Sequence, residues 1–185
     1  MIAAVPVVAA ATHARDAGYD VVLLAHVLAA AVGLGSVVLA GTYAWILRRS
    51  GPGSEPVRRY YRPGVNWAGR VLFLVPVLGL ALMAMSHGDW SFSDGWIVVG
   101  LALWAVVAMV AEMALWPAER RLQEAVSAGV PVAPVGEVEL AGPSEGRPEG
   151  LSAAGLRSEC LRVAMLSGIL SAVLIGTAVL MVAKP

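Results

Sequence analysis

Three ionisable side chains, His26, Arg70 and Glu112, stand inside long apolar stretches of this 185-residue chain. A charge near the middle of a bilayer costs at least about 2.5 kcal/mol, so each needs a partner or a purpose. An imidazole nitrogen can ligate haem iron or another metal. His26 is one candidate and His87 a second; Met83 precedes His87 by four residues, on the same helical face. Thioether sulfur with imidazole suits Cu(I). The plainer reading gives His26 a hydrogen bond to a neighbouring carbonyl or hydroxyl and leaves His87 as a loop residue. Arg70 and Glu112 each lie about one turn inside the same boundary of their stretches, so a structural ion pair is expected. Snorkelling of Arg70, or a proton-handling or substrate-binding Glu112, are the alternatives.

Other chemistry is sparse. Cys160 is the only cysteine, which excludes an intramolecular disulfide and any CxxC motif. No nucleophile–base pair, phosphate loop, zinc-protease motif or dinucleotide fingerprint occurs. Ser36, Ser167, Ser171 and Thr177 read as hydrogen-bond donors between helices. The 13 basic and 13 acidic side chains cancel, so no global field attracts nucleic acid. These features lean away from an enzyme.

The elements that carry these residues are membrane spans. The chain is 58% hydrophobic and 14% charged, against about 25% charged residues in soluble domains. Four apolar stretches, at about 21–47, 67–86, 95–117 and 162–183, each reach the roughly 20 residues that cross a bilayer as a helix. The expected fold is all-α: a polytopic membrane protein with four transmembrane helices in a bundle.

Arginines give the bundle a direction. Arg48, Arg49, Arg58, Arg59 and Arg62 lie between the first two spans, and Arg120, Arg121, Arg157 and Arg162 between the last two. The 86–94 link has none. The positive-inside rule therefore puts both Arg-bearing links in the cytoplasm and both termini outside it. Trp45, Trp67, Trp90, Trp96 and Trp116 sit near span ends, where indole rings favour the headgroup level. Residues 1–20 read as an extracytoplasmic tail. A cleaved signal is the alternative, though no basic residue precedes Arg15. The Pro-, Gly- and Glu-rich stretch 124–155 reads as a mobile cytoplasmic connector.

Close helix approach in lipid depends on small residues. Ala29, Gly33, Ser36 and Ala40 form one such stripe on the first span, with His26 a turn before it. Ala164, Gly168, Ala172 and Gly176 form another, at strict four-residue spacing, on the fourth. The two stripes are expected to face one another. Pro76 should kink the second span. Faint parallels, Arg70-Val71 with leucines at 74, 78 and 82 against Arg162-Val163 with leucines at 166, 170 and 174, suggest two related hairpins.

Leu24-Ala25-His26-Val27-Leu28, the following Gly33-x-Gly35 and the terminal Leu180-Met181-Val182-Ala183-Lys184-Pro185 resemble a bacterial family of predicted integral membrane proteins, a domain of unknown function. That family is similar to CopD-type copper-resistance membrane proteins and HemJ-type protoporphyrinogen oxidases. The resemblance covers most of the membrane core but not 124–155. The HemJ-type relatives imply haem at His26 and a redox role. The CopD-type relatives imply copper traffic. The sequence departs from the first in having Leu23, Leu24 and Ala25, not a basic residue, before His26. The expectation is a small protein of the bacterial cytoplasmic membrane, acting as an accessory or structural bundle in a homo-oligomer or larger membrane complex. The alternative is a haem- or copper-associated redox protein using His26.

Overall fold

The computed structural model describes residues 17–86, 88–129 and 153–183, and the regular structure among them is all helical. Four helices are long and apolar enough to cross a membrane: the first span Ala17–Ser50, the second Trp67–Met85, the third Gly95–Ser127 and the fourth Ala153–Ala183. A short helix, Glu55–Tyr60, lies in the link between the first two.

The first, third and fourth helices overrun the stretches that hydropathy marks. Hydropathy locates the apolar part, whereas a helix continues until its backbone is capped. The first ends where Gly51 takes a left-handed φ of 74° and its N–H bonds the Leu47 carbonyl at 2.9 Å. The third ends likewise, at Gly129 with φ 65°. Of the connector 124–155, Glu124–Ser127 therefore belongs to the third helix and 153–155 to the fourth; 130–152 lie outside the described residues, as do the N-terminal and C-terminal tails.

Two interruptions have identifiable causes. Pro76 has no N–H to give the Leu72 carbonyl, and a 3₁₀ turn, Val71–Phe73, precedes the proline. The indole N–H of Trp104, on the third span, donates to that carbonyl at 3.1 Å. Pro117 poses the same problem in the third span. There Ala111–Leu115 widens into a π-helix, and the Trp116 N–H reaches the Ala111 carbonyl.

The first and fourth spans form the most intimate pair. The Leu74–Met85 part of the second span packs on the first, and Gly95–Val110 of the third packs on the fourth. Those two segments are not packed along one another, so the helices stand in the order second, first, fourth, third. Ala29, Gly33, Ser36 and Ala40 are all buried. A Cβ on Gly33 would lie 3.1 Å from the Leu72 Cα, so this stripe also receives the second span.

The expected ridge on the fourth span faces elsewhere. Gly168, Ala172 and Gly176 are exposed and Ala164 is half-buried; nothing comes near a Cβ built on Gly168 or Gly176. The inward face is instead Val163, Ser167, Leu170, Ser171 and Thr177. Hydroxyls decide the rotation. The Ser167 hydroxyl donates to the Val37 carbonyl across the interface and occupies the space that Gly41 leaves open. A small-residue ridge and a face that mixes Val and Leu with hydroxyls compete on this helix, and the one with a hydroxyl and an acceptor opposite takes the interface. Ser36 and Thr177 bond back into their own helices, to Gly33 and Val173.

Candidate functional site

The Arg-bearing end of the molecule is closed. Leu47, Val57, Tyr61, Leu115, Leu122 and Leu156 have almost no accessible surface. Val57 projects from the short helix Glu55–Tyr60 into this core, and Tyr60 stacks on Tyr43 with centroids 4.1 Å apart.

Arg70 and Glu112 meet at this end. Arg70 Nη1 pairs with Glu112 Oε1, and the guanidinium lies 4.3 Å from the Trp116 ring centroid. Gly69 allows that approach, since its Cβ would sit 3.1 Å from the indole nitrogen. Both side chains remain more than a third exposed. The pair ties the second span to the π segment of the third.

A second polar group escaped the sequence reading. Glu119 is 3% exposed. Its carboxylate accepts from the Tyr60 hydroxyl at 2.9 Å and from Asn66 Nδ2 at 3.3 Å, while Asn66 Oδ1 caps the second helix through the Gly69 N–H. Burial raises the Tyr60 hydroxyl above its ordinary range, and the negative Glu119 adds to the shift. Burial also raises Tyr61. Glu119 beside Arg120 and Arg121 had the look of a solvated boundary. The signal that locates it is helical spacing: it shares a face with Leu115 and Leu122, both fully buried.

The opposite end holds a cavity of about 550 Å³ reached by all four spans. Its wall is apolar apart from a few groups: His26, the hydroxyls of Tyr19 and Thr177, and the indoles of Trp90, Trp96 and Trp104. The His26 ring lies against Gly79, where a Cβ would come within 3.3 Å of its Cε1, and faces the Val75 backbone. Its Nδ1 is buried on the side of the ring that faces Gly79 and the Val75 backbone, and not toward the open space. Met83 and Met181 line the same space. Trp90 and Trp96 meet edge to face at 5.4 Å at its end.

His26 and the Arg70–Glu112 pair therefore occupy different ends and do not form one site. His87 lies outside the described residues. Among the described residues no group of three His, Cys, Asp or Glu side chains could hold a metal ion. No protein-family model, curated protein or solved structure matches the chain.

Proposed function

We propose that this multi-pass membrane protein is a binding protein, holding a neutral, largely apolar ligand with one compact polar group against His26. The observation that carries the reading is the imidazole of His26 lining an otherwise largely apolar cavity of about 550 Å³, within the range of small-molecule pockets. A ring carbonyl or hydroxyl would meet the imidazole, and the apolar walls would take the rest. Arginine placement supports an orientation with the Arg-bearing end in the cytoplasm, and the family resemblance suggests the cytoplasmic membrane of a bacterium.

Haem, which the family resemblance implies, fits this wall in one respect only. His26 offers an axial nitrogen, but the described lining residues include no Lys or Arg to meet two propionates, and unpaired carboxylates are costly at that depth. For copper, His26, Met83 and Met181 offer one imidazole and two soft thioethers among the lining residues. A visible spectrum and metal analysis of purified protein separate these cases: a Soret band or stoichiometric copper would replace the neutral ligand.

The test uses protein in lipid nanodiscs titrated with duroquinone, a neutral ring without a tail, reading quenching of tryptophan emission. Saturable quenching is expected, weakened several-fold in His26→Ala and at least tenfold in Gly79→Leu, which fills the space beside the imidazole. Linear quenching, identical in all three proteins, would overturn the reading.

The lipid-facing ridge Gly168, Ala172, Gly176 favours a second reading, an accessory subunit whose fourth span packs on a second copy or a larger complex. Purification in a mild detergent tests it. A larger complex that dissociates in Gly168→Leu/Gly176→Leu supports it, and a monomer in both opposes it.

A further inference from the structure

We infer that the cavity takes its ligand sideways from the hydrocarbon phase, and that the ligand is a tail-bearing lipophile whose ring meets His26 while its chain leaves between the second and third spans. The inference rests on the reading of the cavity as a ligand site.

The second and third spans are connected by the short 86–94 link at one end and by side-chain contacts at the other. Below the cavity they are tied by the Trp104–Leu72 hydrogen bond, the edge contacts of Phe73 with Trp104 and Trp116 at 6.0 and 5.8 Å, and the Arg70–Glu112 pair beside Trp116. Above that floor, among the described residues, no hydrogen bond, ion pair or ring contact joins Leu74–Met85 to Gly95–Val110, and each packs on a different neighbour. Between these two ends the segments lie apart, each on its own neighbour, and both border the cavity.

The gap between them opens onto lipid. Leu80 lines the cavity and is also 41% exposed, which places it on the rim. Val77, Val98 and Val99 are exposed on the same two helices. No charged residue occurs from Val71 to Ser86 or from Gly95 to Ala111, so the rim is hydrocarbon-like along its length. A water-borne solute would have to leave water to reach it. A molecule already dissolved in the bilayer meets an apolar slot, and an alkyl or prenyl chain lying in it keeps contact with lipid. The loop end is covered by the Trp90–Trp96 contact. A compact ring fits a cavity of about 550 Å³, and the slot is where a tail continues.

The experiment compares one benzoquinone ring with and without a decyl tail, in nanodiscs, with ligand concentration expressed per lipid and binding read by tryptophan quenching. Wild type is expected to bind the decyl form at least tenfold more tightly than the tail-less form. Leu80→Phe/Ile97→Phe, which narrows the slot, is expected to lose that preference, read as the ratio of the two affinities in the same variant; Ile97→Phe alone serves if the double variant does not fold or binds neither form. Equal affinities in wild type, or a tail preference that survives the narrowed slot, would overturn lateral access while leaving the ring site intact. Failure of wild type to bind either form would overturn the ring site as well.

Discussion

The two ends of this molecule share the same four spans, with the short helix Glu55–Tyr60 added at one of them, and are packed in opposite ways. At the Arg-bearing end, side chains as large as Tyr61, Leu115 and Leu122 are fully enclosed. At the other end the helices leave a cavity of about 550 Å³. The difference follows from what joins the second and third spans. Lipid is as apolar as a leucine side chain, so burial alone gives helices in a membrane little reason to close on one another. Where Trp104, Phe73, Trp116, Arg70 and Glu112 supply specific links, the bundle shuts. Where none exists, it stays open.

The strongest way to break this comparison is to remove the same side chain at each end. Leu122→Ala in the closed end should destabilise by about 2–5 kcal/mol. Leu101→Ala, on the cavity wall, should cost under about 1 kcal/mol, because surrounding contacts are already few. Denaturant unfolding in one detergent measures both, and equal costs would mean that the two ends are packed alike.

A smaller effect concerns the buried carboxylate. Glu119→Ala leaves the Tyr60 hydroxyl and Asn66 amide without their acceptor and should cost about 1–3 kcal/mol. Glu119→Gln keeps an acceptor and should cost less than half as much. Unfolding midpoints that rank the two variants in the other order would contradict this role.

Below that comes the ion pair. Arg70 and Glu112 are both more than a third exposed; about one turn inside the boundary, where long side chains reach headgroup water, such pairs contribute about 0–1 kcal/mol. Glu112→Gln should therefore shift stability by no more than about 1 kcal/mol, and folded yield should fall only slightly. A collapse in yield would show that the link carries far more of the closed end than its exposure allows.

The smallest effect is a pH dependence. Tyr60 and Tyr61 titrate above their unfolded value near 10.0 because burial holds them neutral. Their contribution to stability is complete below that pH and is lost as pH rises past it. Stability should decline above about pH 10, less steeply in Tyr61→Phe. An identical slope in wild type and variant would remove Tyr61 from this account.

Much of this architecture is legible in the residues. Uncharged runs mark four spans, and matched depth brings Arg70 to Glu112. The stripe Ala29–Gly33–Ser36–Ala40 is spaced for burial. The fourth span is not legible in the same way. Ala164, Gly168, Ala172 and Gly176 repeat as regularly as any packing ridge, yet the hydroxyl of Ser167 and the carbonyl of Val37 set the rotation. That depends on a partner helix that spacing alone does not reveal. Glu119 was obscured by its arginine neighbours. His26 was visible as a polar intruder, but the cavity beside it exists because two helices lie apart, a relation between segments that no local pattern encodes.

The central claim is that the open end holds a ligand and the closed end does not. Native mass spectrometry of the protein ejected from bacterial membranes tests it most directly. Wild type and Leu122→Ala should each carry a neutral adduct of a few hundred daltons, comparable with a small-molecule pocket's usual occupant, and Gly79→Leu should fly without it. Bare wild-type protein, or an adduct retained undiminished in Gly79→Leu, would contradict the account.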